Sequence, residues 1–267
     1  MRRQSRALDA LESLPGVIAI DLQWNDAPSK RPRIRTVAAL RRDSTTVTGR
    51  AGRVKPIASD VLDALAAVAE REGCRYFAYA NSDIIVTPAA VALVAGGGHQ
   101  AYAFSRMDYD TSGRDLGLIL TGFDAFAFEV AWWRANRHRF RPYILGEACW
   151  DNVYASLLMC HGNGMLVNRD GAIRHEVHPT AWGQGVFSEY NGFLAVLDAR
   201  YFTLWATYHA QLIEARARNA SDAEERAIAA SAFVWRRSPA LALRKAARNV
   251  RAHVRYRRHR ARWPAAT

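Results

Sequence analysis

Acidic and amide side chains directly follow a short apolar segment in the first third of the chain. Residues 76–80 are apolar or aromatic, and they end in the triplet Asn81-Ser82-Asp83, after which apolar residues resume. A buried strand that ends in a carboxylate places a charge at the rim of an α/β sheet, where ligands bind in such folds. Asp83 is therefore the first candidate for chemistry. The alternative is that Asn81 and Asp83 only form a turn, because both residue types favour turns.

Further carboxylates fall at predicted strand ends and turns rather than on helix surfaces. They are Asp108 and Asp110 after the run 101–104, Asp124 before the run 125–128, and Glu147 and Asp151 before a predicted helix. Several carboxylates at one rim repel one another unless a cation or a basic group of a substrate binds between them. Oxygen ligands alone suit Mg²⁺ or Mn²⁺ better than zinc. Taken singly, each of these acids also fits a turn-forming role.

Two histidines, His175 and His178, have the spacing of a metal-binding pair. Residues 173–177 have the composition of a strand, and Pro179 restricts His178 to an extended backbone. Residues three apart on a strand point to opposite faces, so the pair is not expected to bind one ion unless the chain turns between them. One of the two is a candidate ligand of a metal or substrate, and the other is expected to be a hydrogen-bonded structural histidine.

The elements that must position these side chains alternate through the first two thirds of the chain. The predicted strands are residues 17–22, 37–40, 76–80, 101–104, 125–128, 165–167 and 173–177. The predicted helices run from Ser59-Asp60 to Gly73, from Thr87-Pro88 to Gly96, through Trp132-Trp133, and over residues 151–159, and the pattern is wholly helical after Ser188. This alternation predicts an α/β fold with a mainly parallel sheet flanked by helices.

Composition bounds the classes of protein to consider. Half of the 267 residues are hydrophobic, which is enough for a substantial core. The chain has no run of about 18 uncharged apolar residues, so no membrane-spanning helix is expected. The basic start is followed by Asp9 and Glu12 where a signal peptide needs apolar residues, which argues against secretion. Three widely spaced cysteines without a Cys-x-x-Cys motif suit a reducing cytoplasm.

The net charge of +12 is concentrated at the C-terminus. Residues 235–267 hold 11 Lys or Arg and no acid, so residues 1–234 hold 26 basic and 25 acidic residues. The apolar residues of this tail form one helical stripe: Leu243, Ala247, Val250 and Val254. A cationic amphipathic helix over residues 236–262 suits an anionic membrane surface. Nucleic acid is the rival partner, although no recognised module is present, and a solvated tail is the third interpretation.

Taken in order, five short segments resemble the GT-A (nucleotide-diphospho-sugar transferase) class of glycosyltransferases. They are Asn81-Ser-Asp-Ile84, Arg106-Met-Asp108, Gly122-Phe-Asp-Ala-Phe-Ala-Phe128, Gly146-Glu-Ala-Cys-Trp-Asp-Asn152 and His175-Glu-Val-His-Pro179. The resemblance covers roughly residues 15 to 182. It implies a GT-A-like fold, assigned to residues 1–187. The helical pattern and the basic run that follow predict a helical segment, 188–234, that packs on the domain, and a basic tail, 235–267.

The resemblance also implies a metal site that holds the donor diphosphate. In this class an Asp-x-Asp motif at a strand end binds a divalent cation, here Mn²⁺ or Mg²⁺. The matching positions are Asn81 and Asp83, so the first acid is an amide and the site has one charge fewer. A later histidine often completes the metal site, and His178 or His175 matches it. Asn81, Ser82, Arg106 and Asp108 are the residues expected to bind the donor.

An acid near the start of a helix in the acceptor half often serves as general base in inverting members. Asp151 matches that position. The acceptor site is expected to comprise Asp124, Trp150, Asn152 and His175. The function implied is metal-assisted sugar transfer from a nucleotide-sugar donor to a hydroxyl of a glycan or lipid-linked acceptor. A cytoplasmic protein at the inner face of the membrane is the expected setting.

Two other functions are compatible with the same residues. One is a catalytically degenerate GT-A-like protein that binds an anionic membrane or nucleic acid through its tail. The other is a metal hydrolase that uses His175, His178 and nearby acids. The donor sugar, the acceptor, and retention or inversion of the sugar configuration are not specified by the sequence.

Overall fold

The computed structural model describes residues 2–25, 31–169, 171–178 and 185–234. Its strands are β1 (Ala19–Gln23), β2 (Ile34–Ala38), β3 (Tyr76–Ala80), β4 (Ile84–Val86), β5 (Ala101–Phe104), β6 (Arg106–Tyr109), β7 (Asp115–Ile119), β8 (Ala125–Glu129), β9 (Gly164–Val167) and β10 (Ile173–Glu176). Its α-helices are α1 (Arg2–Ser13), α2 (Ser44–Thr48), α3 (Ala58–Arg71), α4 (Pro88–Ala95), α5 (Val130–Asn136), α6 (Trp150–His161), α7 (Val186–Leu197), α8 (Ala199–Ala217) and α9 (Asp222–Ala232).

The described residues form two compact units. One draws its residues from the segments 2–41, 59–139 and 161–178, and the other from 42–58, 140–160 and 185–234. The predicted division into a domain of residues 1–187 and a helical segment of residues 188–234 stays a prediction. Short-range periodicity cannot reveal the two compact units, because three separated segments contribute to each unit. The basic tail, 235–267, lies outside the described residues.

The first unit contains two four-stranded sheets. One has the order β3-β8-β5-β9, in which β8 runs antiparallel to β3 and β5, and β9 runs parallel to β5. The other has the order β4-β10-β6-β7, in which β10 runs antiparallel to β4 and parallel to β6. This second register places His175 between Asp108 of β6 and Ile84 of β4. The sheet therefore brings together residues almost a hundred positions apart.

A hydrophobic core joins strands of both sheets. Its buried residues are Ile84, Ala90, Tyr102, Phe104, Ala125, Ala127, Val167, Ala172 and Ile173. Phe126 and Phe128 on β8 are fully buried, and Phe128 stacks on Trp132 of α5 with 5.8 Å between ring centroids. The Trp132-Trp133 pair therefore packs a helix onto the sheet, as large aromatic residues commonly do. This packing fixes the strands that carry the polar residues of the site.

The prediction of an α/β fold is confirmed, but strand pairing is mixed rather than mainly parallel. Of the seven described pairings, three are parallel and four are antiparallel. The turn at residues 110–114 joins β6 to β7 as a hairpin, and a connection this short requires antiparallel strands. Apolar runs in the sequence predict strands but carry no information about their direction.

Local sequence signals correctly located most of the helices and strands that the structure contains. Thr87 caps α4 by accepting a hydrogen bond from the Ala90 N–H, and Pro88 is the first helical residue. The elements that the sequence analysis missed are α1, α2, β4, β6 and β7. Two of them are polar: α1 carries three arginines, and β7 is largely exposed and contains Gly117. Neither has the apolar run on which the strand and helix predictions depended.

The second unit is mainly helical. Asn191 of α7 is fully buried, and its amide accepts a hydrogen bond from the Ile144 N–H and donates to the carbonyls of Ile144 and Ala148. Ser221 and Glu224 form a reciprocal capping box at the start of α9. Across the described part of the chain, each helix is too short or too polar to cross a membrane.

Replacing Gly162 should destabilise the first unit. The Trp132 indole N–H donates to the His161 carbonyl at 3.1 Å, and a methyl group at Gly162 would overlap that indole nitrogen. Gly162→Ala should lower the free energy of unfolding by about 1–3 kcal/mol. Gly98→Ala is the matched control, because a methyl group there meets no atom within 4 Å. Chemical denaturation measures both, and equal stabilities would contradict the packing described here.

Candidate metal centre

Asp83 is held in a tight turn between β3 and β4. The Asn81 N–H donates to the Asp124 carbonyl at 3.0 Å, and the Ile84 N–H donates to the Asn81 carbonyl at 3.0 Å. The second bond closes a four-residue turn, so Asn81 and Asp83 do form a turn. The turn also presents the Asp83 side chain, about one quarter exposed, to two histidines.

Asp83, His175 and His178 converge, with one potential ligand atom from each lying within 4.8 Å of the other two. His178 Nε2 lies 2.9 Å from Asp83 Oδ2, and His175 Nε2 lies 3.6 Å from the same oxygen. The expectation that strand geometry separates the histidines is wrong. Strand β10 ends at Glu176, so His178 lies beyond the strand and is free of its alternation. The two rings have centroids 5.0 Å apart.

The donor atoms fit a metal ion. Metal bonds to imidazole and carboxylate of about 2.0–2.2 Å place neighbouring ligand atoms about 3.0–3.5 Å apart. The distances from Asp83 Oδ2 to the two imidazole nitrogens, 2.9 and 3.6 Å, lie just below and just above this range. Two imidazole nitrogens and one carboxylate leave further positions of an ion open to substrate or water. Asp83, His175 and His178 are called the metal triad below.

The orientation of His175 is set by a carboxylate behind it. His175 Nδ1 lies 3.0 Å from Asp108 Oδ1, and both side chains are buried. A proton on Nδ1 that is donated to Asp108 leaves Nε2 with a lone pair directed at Asp83. Metal-binding histidines commonly have such a partner, which fixes the tautomer and the ring orientation. Asp108 therefore supports the metal triad from the side away from Asp83.

Arg106 connects Asp108 to a second carboxylate. Its Nε donates to Asp108 Oδ1 at 2.8 Å, and its Nη1 donates to Asp124 Oδ2 at 2.7 Å. Asp124 also accepts from Asn81 Nδ2 at 2.7 Å, and Asn81 Oδ1 accepts from the Tyr79 hydroxyl at 2.6 Å. A continuous polar chain therefore runs from Tyr79 to the metal triad. Four of the predicted substrate-binding residues, Asn81, Arg106, Asp108 and Asp124, belong to this chain, and their contact with a substrate stays a prediction.

The electrostatics of the metal triad favour a charged carboxylate. Hydrogen bonding from His175 holds the pKa of Asp83 well below its usual range. A hydrogen bond from His178 lowers this pKa further, whereas burial alone would raise it. Burial lowers the pKa of His175, but the hydrogen bonds to Asp83 and Asp108 exceed that effect and leave its pKa raised. Without a metal ion, His175 and Asp83 thus approach an ion pair.

The metal triad borders a surface cavity of about 560 Å³. The cavity is lined by Arg3, Gln4, Arg6, Asp83, Thr111, Glu176 and His178. Ser82, expected to bind the donor, is exposed and accepts a hydrogen bond from Gln4 of α1 at 3.2 Å. The sequence analysis missed Arg3, Arg6 and Glu176. The apolar residues Ala7, Leu11 and Leu14, at helical spacing after a basic start, were the available signal for α1.

The predicted base and acceptor residues Trp150, Asp151 and Asn152 belong to the second unit. They lie in the first turn of α6, where Trp150 and Asn152 are buried. The Trp150 ring packs edge-on against Tyr154 with 5.7 Å between centroids. The preceding residue, Cys149, has a left-handed backbone with φ of 78°, which costs free energy in a non-glycine residue. The roles of Asp151 as base and of its neighbours in acceptor binding stay predictions.

Comparison with protein-family models, with curated proteins and with solved structures finds no match to this chain.

The stability of the metal-free protein should fall as pH rises through the neutral range. The folded-state pKa of His175 is raised, so its contribution is fully present below about pH 6.5 and is lost as pH rises through the folded value. The Asp83 pKa is lowered, so its contribution is lost only in acid, below about pH 4. Chemical denaturation in a chelator measures the pH dependence. His175→Gln should flatten it between pH 6 and 8, and an unchanged slope would contradict the assigned contacts.

An acid at position 81 should be destabilising. Asn81→Asp would place a carboxylate against Asp124, where the amide now donates at 2.7 Å. We expect the free energy of unfolding to fall by about 1–3 kcal/mol at neutral pH. The exchanged pair, Asn81→Asp with Asp124→Asn, restores one amide and one carboxylate. It should be more stable than the sum of the single effects predicts, and strict additivity would argue against direct contact.

Proposed function

We propose that the protein is a divalent-metal-dependent glycosyltransferase that uses a nucleotide-sugar donor and a hydroxyl acceptor. The observation that carries the proposal is the convergence of Asp83, at the end of β3, with His175 and His178 at the end of β10. A carboxylate at a strand end and a later histidine are the two metal-site features that the GT-A resemblance implies. We extend the resemblance to the fold, for which the mixed α/β architecture is the available support.

The ligand set bears on the choice of metal. Mg²⁺ and Mn²⁺ were expected from oxygen ligands, whereas two imidazole nitrogens favour a first-row transition ion. Mn²⁺ is therefore preferred to Mg²⁺ in this proposal. Bound by these residues, the ion would neutralise charge that develops on the departing diphosphate.

The protein's own groups would supply the remaining chemistry. Asp108 orients His175 through Nδ1, so that the metal triad is preformed before substrate binds. Asp151 is the proposed general base, which removes the proton of the acceptor hydroxyl as the new bond forms. A glycan or lipid-linked acceptor, and a membrane-surface role for residues 236–262 at the inner face of a membrane, remain parts of the proposal that rest on the sequence.

A metal hydrolase is the second candidate, and the pair of histidines favours it. Two histidines and one carboxylate with open positions are also the ligand set of zinc hydrolases. Tight stoichiometric zinc in the purified protein, with release of the sugar into water in the absence of any acceptor, would support hydrolysis. Metal-dependent transfer to an added acceptor would support the transferase.

The first test is metal-dependent binding of the donor. UDP-, GDP- and dTDP-sugars should raise the melting temperature of the protein only when Mn²⁺ is present, because a ligand of the native state stabilises it by mass action. Asp83→Asn and His178→Gln should each weaken Mn²⁺ binding by about 100-fold or more, since each removes a direct ligand. Isothermal titration with Mn²⁺ measures this loss, and the variants should remain folded by circular dichroism.

His99→Gln is the matched control, because His99 lies in the same unit and pairs with Asn163 instead of the metal triad. Equal Mn²⁺ affinity in the wild type and in His178→Gln would contradict the metal centre. Mn²⁺ binding without any effect of the sugar nucleotides would retain the metal centre and contradict the choice of donor. If the wild type binds neither Mn²⁺ nor any sugar nucleotide, the result would favour the catalytically degenerate binding protein.

A further inference from the structure

Helix α1 lies against the turn that carries Asp83. Gln4 of α1 donates to Ser82, the neighbour of Asp83, and Ala7 is buried beneath the helix. Arg31 forms ion pairs with Asp9 and Glu12, in the C-terminal half of α1. Of these residues Gln4 also lines the cavity, whereas Ala7, Asp9 and Glu12 hold the helix without lining it.

Two arginines of α1 project into the cavity beside the metal triad. Arg3 and Arg6 are three residues apart, so they lie on one face of the helix. Arg6 Nη1 lies 2.7 Å from Glu176 Oε2, and Arg3 Nε lies 3.5 Å from Glu176 Oε1. The Glu176 side chain is only 10% exposed, whereas those of Arg3 and Arg6 are 40% and 53% exposed. Both guanidinium groups therefore retain donors that face solvent in the cavity.

The charges around the cavity balance until a metal ion is added. Its formally charged lining residues are two arginines and two carboxylates, Asp83 and Glu176. A divalent ion on the metal triad would give this lining a net charge of about +2. A ligand that complements this charge is a compact anion that offers oxygen atoms both to the metal ion and to the two arginines. Arginine forks match phosphate oxygens in a bidentate manner, and a transition ion also binds them.

We propose that Arg3 and Arg6 form a phosphate-binding subsite that adjoins the metal triad, and that its ligand is a diphosphate group. One phosphate would bind at the metal triad and the other at the two arginines, while Glu176 holds the guanidinium groups in position. The proposal rests on the proposed function only in requiring a metal ion at the triad. It assigns the recognition of the diphosphate to the N-terminal helix.

The test is titration of the full chain with inorganic pyrophosphate, added as its 1:1 complex with Mn²⁺. The double variant R3Q/R6Q should bind pyrophosphate about 10- to 100-fold more weakly than the wild type, because charge-assisted hydrogen bonds are lost. Inorganic phosphate should bind more weakly than pyrophosphate to the wild type, and it should lose less affinity in the variant. The affinity for pyrophosphate should also fall as salt concentration rises.

Arg35→Gln is the matched control. Arg35 lies in the same unit, its side chain is 47% exposed, and it pairs with Glu72 away from the cavity. Pyrophosphate should bind this variant as it binds the wild type. If R3Q/R6Q fails to fold, the single variant Arg3→Gln is the second probe. It removes only the longer ion pair with Glu176, at 3.5 Å, and leaves the closer pair of Arg6 with Glu176 in place. It should weaken pyrophosphate binding several-fold.

Mn²⁺ binding in the absence of phosphate separates this proposal from the proposed function. The metal affinity of R3Q/R6Q should be no weaker than that of the wild type, since neither arginine is a ligand and their removal takes positive charge away from the cavity. Equal pyrophosphate affinity in the two proteins, with normal Mn²⁺ binding, would overturn the subsite and leave the metal centre intact. Absence of pyrophosphate binding in the wild type would also overturn it. Loss of stability in R3Q/R6Q with unchanged pyrophosphate affinity would show that the arginines only attach α1.

Discussion

The guanidinium group of Arg106 lies between the carboxylates of Asp108 and Asp124, and the geometry of the metal triad depends on it. The side chains of all three residues are at most about one fifth exposed. Two carboxylates in such surroundings would repel each other without a cation between them. Because Arg106 neutralises and positions Asp108, Asp108 can in turn fix the tautomer of His175. The metal triad is thus held by a polar chain in which each side chain is hydrogen-bonded to the next.

This polar chain explains why an amide at position 81 is compatible with a metal centre. The sequence alone suggests that Asn81 weakens the site, because it replaces the first acid of the motif. In the structure Asn81 donates to Asp124 and accepts from Tyr79, and an acid could not make the first of these bonds while ionised. Two imidazoles stand beside Asp83 instead of a second acid. The consequence is a site with less negative charge and a greater preference for a transition ion.

The cavity combines this candidate centre with two arginines of helix α1. The ion pairs of Glu176 with Arg3 and Arg6 lie at the end of β10, the strand that also carries His175. One short strand therefore carries both His175 of the proposed metal triad and Glu176, which pairs with the two arginines of α1. The antiparallel pairing of β10 with β4 brings this strand to the turn of Asp83. Mixed pairing in the second sheet is what assembles the site.

The sequence by itself determined most of the individual elements and the residue types at their ends. Apolar runs, the Thr87-Pro88 cap and the polar triplet after β3 are local signals, and each is encoded within a few residues. Asp83 and the histidine pair were identified in this way. Only the tertiary structure decided that His175 and His178 share one site, because the end of β10 at Glu176 removes the alternation that separates side chains on a strand. It alone decided the strand directions and the place of α1, since both depend on pairing and packing between residues far apart in the chain.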